Sequence, residues 1–175
     1  KLLSILFIST LIFTGCSDDE NPDAHNDEEI ISIVEITFTN TTDTTDLVTL
    51  SWQDTDEDGT VDIITDDAVF KANATYTAKI TLANQEEQIT PEIVEEADEH
   101  QFFYSSGVAT FMYAVDDVDG DGNPVGLSFS MTTAAAGTGS LSVILKHEPT
   151  KPNNGTVADA GGSTDLDISF DVTVQ

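Results

Sequence analysis

The sequence predicts an all-β fold: an immunoglobulin-like antiparallel β-sandwich of about eight or nine strands with one short helix. Three observations predict it. From Ile30 onward apolar residues alternate with polar ones at period two, so each strand buries one face and wets the other. Thr is abundant in the same stretches, and β-branched side chains suit a pleated surface. Clusters of Asp, Gly, Asn and Pro separate the alternating runs as turns. A barrel is the lesser alternative.

Taken in order, the runs are Val34, Ile36 and Phe38; Val48, Leu50 and Trp52; Tyr76, Ala78, Ile80 and Leu82; Leu127, Phe129 and Met131; and Leu141, Val143 and Leu145. The last sets Leu166, Ile168, Phe170, Val172 and Val174 inward, with Asp165, Asp167, Ser169, Asp171 and Thr173 on the wet side. The helix falls at Thr90 to Ala97, where Thr90 suits a cap, Pro91 the first helical position, and Glu92 the positive end of the dipole. Thr132 to Ser140 and Pro149 to Ser163 read as loops, where function concentrates on such scaffolds.

Three segments divide the chain. Residues 1–15 combine a basic start, an apolar run too short to span a membrane and small residues, which is the pattern of a signal peptide. Residues 16–29 begin at Cys16 and continue almost wholly in Asp, Glu, Asn, Pro, Ala and His, a flexible acidic tether in which His25 is an incidental polar residue. Residues 30–175 hold the sandwich. Cys16 is the only cysteine, so no intramolecular disulfide forms.

Charge narrows the choice of partners. Asp and Glu total 33 against five Lys and no Arg, for a net charge of −28. Such a surface repels phosphate backbones and attracts cations, which excludes nucleic acid as a partner.

Two loops spell D-x-D-x-D-G: Asp54, Asp56, Asp58 and Gly59, followed by Asp62; and Asp117, Asp119, Asp121 and Gly122. Alternate side chains at that spacing converge on a hard cation while the Gly permits the turn, so both loops are candidates for calcium. Neither has the bidentate Glu of an EF-hand, Thr65 and Ser128 standing there instead. The same letters also satisfy an Asp-Gly hairpin turn.

A second constellation sets Glu99-His100 against His147-Glu148, each pair at a strand end. If those strands neighbour, the imidazoles and carboxylates form a set suited to zinc, copper or iron. Two surface histidines with ordinary hydrogen bonds are the other reading. The chain offers neither a G-x-S-x-G nucleophile elbow nor the setting of a phosphate loop at Gly161-Gly162-Ser163. The expectation is therefore a non-enzyme with no organic cofactor.

Phe13-Thr14-Gly15-Cys16 resembles a lipobox, with Phe13 where Leu is usual. The resemblance implies cleavage before Cys16 and a lipid anchor on it. Ser17-Asp18-Asp19-Glu20 resembles the acidic signal that sends Bacteroidota-type lipoproteins to the outer face of the outer membrane. The stretches at 98–104, 147–153 and 159–162 resemble flavobacterial surface lipoproteins labelled "type 1 periplasmic binding fold superfamily protein". That label implies alternating strands and helices, whereas the periodicity here predicts strands throughout. The resemblance implies a cell-surface binding module that captures a ligand, a metal ion among the choices, beside an outer-membrane transporter of the TonB-dependent kind. The rival reading is a structural or adhesive surface module stiffened by calcium.

Overall fold

The computed structural model of the chain describes residues 30–56, 58–65 and 68–175. The signal segment, Cys16 and the acidic tether lie outside the described residues.

Ten strands and two short helices follow one another as β1 (Ile33–Asn40), β2 (Leu47–Gln53), β3 (Ile63–Ile64), β4 (Ala68–Phe70), β5 (Thr75–Ala83), α1 (Thr90–Glu95), β6 (His100–Ser106), β7 (Ala109–Tyr113), β8 (Ser128–Thr133), β9 (Gly137–His147), α2 (Val157–Ala160) and β10 (Ser163–Val174). They make a sandwich of two sheets, β3-β2-β1-β5-β8-β7 against β4-β10-β9-β6. Within it, β1-β5-β8-β7 facing β6-β9-β10 reproduces the A-B-E-D and C-F-G strand orders of a constant-type immunoglobulin sandwich. The β2-β3 hairpin widens the first sheet. The chain then crosses to the second, where β4 pairs in parallel with β10.

Alternation determines what is buried. Val34, Ile36 and Phe38 of β1, Tyr76 and Ile80 of β5, Leu141, Val143 and Leu145 of β9, and Leu166, Ile168 and Phe170 of β10 all face the core. Aromatic rings lock the two sheets together. Tyr104 of β6 stacks on Phe129 of β8 with centroids 3.9 Å apart, and Phe129 meets Phe38 edge-on at 5.9 Å. Pairs of this kind add about 0.5–1.5 kcal/mol beyond the area they bury. The core therefore forms without a disulfide.

Four departures from the sequence reading concern the elements themselves. There are ten strands among the described residues, because β3 and β4 are too short to show a period. Thr90 does not cap α1: its hydroxyl accepts from the Leu82 amide at 2.7 Å and donates to the Leu82 carbonyl, stitching the helix to β5. The expected loop at 132–140 shrinks to residues 134–136, since β8 runs to Thr133 and β9 starts at Gly137. The long loop at 149–163 contains α2, capped by the Thr156 side chain on the Asp159 amide.

Candidate metal centre

β6 begins at His100, β9 ends at His147, and the antiparallel pairing of these strands puts the two residues directly opposite each other. Parity carries both inward. His100 shares a face with Phe102, while His147 continues the core row of Leu141, Val143 and Leu145. Neither is a surface histidine: His100 is 0% exposed and His147 3%. Their ring centroids lie 4.8 Å apart.

The third member is Asp165 of β10. Strict alternation from Leu166 would send it to solvent, as the sequence reading expected. Thr164 pairs with Lys146 and Leu166 with the next residue along, Leu145, so Asp165 forms a β-bulge between them. A bulge re-aims the extra side chain, and here it turns the carboxylate inward, where it is 0% exposed. Asp165 Oδ2 lies 3.8 Å from His100 Nε2 and 3.7 Å from His147 Nδ1. Three adjacent strands thus each contribute one ligand-type atom, all mutually within 4.8 Å.

The surroundings orient these groups. His100 Nδ1 lies 3.1 Å from the Glu96 carbonyl, which only accepts, so Nδ1 carries a hydrogen and Nε2 is the ring atom that faces Asp165. The Lys146 ammonium donates at 2.8 Å to the Gly162 carbonyl and to the Thr164 hydroxyl, holding the bulge from its N-terminal side. Gly162, with φ +68°, lies so close to β9 that a Cβ there would come within 2.1 Å of the His147 carbonyl oxygen. Lys151, nearly buried, donates at 2.6 Å to the carbonyls of Ala97 and His100 and lies 3.4 Å from Asp119 Oδ2. Burial lowers its pKa, and the Asp119 charge opposes that shift.

Glu99 and Glu148, expected beside the histidines, are there but on the outer side. Glu99 Oε2 is 4.0 Å from His147 Nε2, and the Glu99, His147 and Glu148 ligand atoms form a second group within 4.8 Å. His147 belongs to both groups, with Nδ1 facing the buried one and Nε2 the exposed one.

The Asp loops diverge despite their shared letters. Asp54, Asp56 and Asp62 bring carboxylate oxygens within 4.8 Å of one another, and Asp58 lies outside that group. Repulsion from Asp58 first, and also from Asp62 and Asp54, raises the pKa of Asp56. Asp117, Asp119 and Asp121 do not gather. Asp117 accepts from the Gly126 and Ser128 amides, and Asp119 accepts from the Asp121 amide and from both backbone and side chain of Asn123. Asp121 is exposed. Backbone amides thus engage Asp117 and Asp119, as the Asp58 and Gly59 amides engage Asp54 in the first loop, and the difference between the loops is that only the first gathers its carboxylates.

Two imidazoles and one carboxylate form a donor set for zinc, copper or iron. Ligand atoms around one tetrahedral ion with bonds of ~2.0–2.1 Å stand ~3.3 Å apart. The 3.7 and 3.8 Å separations to Asp165 close to that value with shifts of a few tenths of an ångström, and the two imidazoles, within 4.8 Å of each other at their ligand atoms, complete the set. Sequence reasoning identified both histidines and missed Asp165, because a bulge leaves no mark in an alternating pattern. Among known proteins, no family model, curated protein or solved structure matches the chain.

Proposed function

We propose that the chain is a lipid-anchored binding module of the outer-membrane surface that captures a transition-metal ion between His100, His147 and Asp165, beside an uptake receptor of the TonB-dependent kind. One observation carries the metal reading: a fully buried carboxylate faces two buried imidazoles from neighbouring strands at 3.8 and 3.7 Å, with one donor atom of each residue within 4.8 Å of the others. A divalent ion would engage one donor atom from each of the three side chains at once. The lipobox-like run ending at Cys16 supports the anchor, and the acidic residues behind it support the surface address.

The test is elemental analysis of the lipidated full-length protein purified in detergent, followed by titration with Zn²⁺ in competition with a chromophoric chelator. Retained or rebound transition metal that is lost in the His100→Ala/His147→Ala protein is the expected result. Unaltered binding in that variant, or none in the parent, overturns the reading.

The Asp54, Asp56 and Asp62 group favours a second role, a calcium-stiffened structural or adhesive module. On that reading calcium raises the melting temperature relative to a chelator, and Asp56→Asn removes the difference. Identical melting in calcium and chelator excludes it.

A further inference from the structure

A buried metal centre needs a way in. His100 and the Asp165 side chain are fully buried, so an ion reaches them only past a neighbour that meets solvent. His147 separates the buried group from the outer carboxylates. Its Nδ1 is 3.7 Å from Asp165 Oδ2, and its Nε2 is 4.0 Å from Glu99 Oε2, on a carboxylate side chain that is half exposed.

The chain takes an unusual path to put Glu148 there. An extended strand would direct residue 148 to the face opposite His147. Instead Glu148 adopts φ +48°, and its amide donates to the Glu99 carbonyl at 2.7 Å. The carboxylate thereby joins Glu99 and His147 in one group of ligand atoms within 4.8 Å.

We infer that Glu99 and Glu148 form a receiving port from which a hydrated divalent metal ion passes, by way of His147, to the buried His100, His147 and Asp165 centre; this rests on the metal reading above. The chemistry of His147 sets the rule of exchange. A neutral imidazole has one lone pair, its other nitrogen holding a proton. His147 therefore serves one group at a time, and the two groups are successive stations for a single ion. On transfer the bond from metal to Nε2 breaks and one to Nδ1 forms. The proton on Nδ1 leaves to water while Nε2 takes one, so no net proton is gained or lost. Carboxylates suit the first station because they attract a hydrated cation and exchange ligands readily, whereas the imidazole-rich inner set holds it.

The experiment is stopped-flow mixing of the full chain with Zn²⁺, reading association directly and dissociation by chelator competition, for the parent and for Glu99→Gln/Glu148→Gln. Both carboxylates are outside the buried centre, and a chemical melt of the variant verifies its fold. Expected are association and dissociation each slower by about tenfold, an affinity changed less than about threefold, and one ion per chain in both proteins. Unchanged rates overturn the port. So does a weakened affinity with unchanged association, which would make the glutamates ordinary ligands, or a stoichiometry of two. Absence of Zn²⁺ binding in the parent instead overturns the underlying metal reading, and so the two failures are told apart.

Discussion

The Lys151 ammonium donates to the His100 carbonyl at 2.6 Å, fastening the segment after β9 to the first residue of β6. The same ammonium holds the Ala97 carbonyl and lies beside Asp119, so three separate stretches of chain meet at one buried charge. Replacing it by Lys151→Met leaves two buried carbonyls and a carboxylate without that donor. The expected loss is about 1–3 kcal/mol, seen as a lower urea midpoint with an unchanged slope. Metal affinity falls with it, because the backbone of His100 is no longer held.

Asp165→Asn separates binding from folding. The amide keeps the volume and removes the charge, so Zn²⁺ affinity drops by at least about tenfold. At pH 8 the metal-free variant matches the parent in stability, since Asn keeps the volume and the inward position of the side chain. A metal-free Asp165→Asn protein that unfolds well before the parent at that pH would show that the carboxylate is there for the fold.

Gly162→Ala attacks the centre through the backbone. Its Cβ would lie 2.1 Å from the His147 carbonyl oxygen, at a positive φ that L-residues rarely adopt. Backbone strain of this kind costs about 1–3 kcal/mol, and the overlap adds to it. Circular dichroism during thermal melting should show a clear fall, whereas Gly155→Ala, at φ +82° but in open space, falls less.

The acid limb of stability is expected to depend on Asp119. Burial pushes its pKa up, but hydrogen bonds from Asn123 and Asp121 and the Lys151 charge outweigh that and hold it below the ordinary 3.8. A lowered carboxylate contributes stability that is complete above its unfolded value and is lost as pH falls through the folded one. The deficit of Asp119→Asn relative to the parent therefore shrinks as pH falls below about 4. Asp117 works in the opposite sense: burial, opposed by the Ser128 and Gly126 amides, raises it, so its contribution declines as pH climbs from 3.8 through the folded value.

Particular residues show how much the sequence revealed. His147 shares the parity of Leu145, so its inward aim is written in the alternation that predicts β9; β6 shows no such alternation, Gln101 and Phe103 being buried with His100 and Phe102. Asp165 shared the parity of Asp167 and was read as wet, because register shifts arise only when β10 is laid against β9. The two D-x-D-x-D-G loops share their signature letters, and only the first is followed by an aspartate, Asp62, that joins its group. What separates them is partly local, Asn123 turning back on Asp119, and partly distant, Lys151 arriving from another loop. Thr90 looked like a cap until β5 offered the Leu82 backbone to its hydroxyl. Local letters specified the elements, and the choice among their partners was tertiary.

The bulge at Asp165 has a bearing on when the protein becomes functional. Its carboxylate turns inward only where β10 is paired with β9, and the set is complete only where β9 is paired with β6 as well. An unfolded chain carries the same three side chains scattered and unable to chelate together. The proposed centre thus exists only in the finished sandwich, and any ion it takes is drawn from the compartment in which the protein folds.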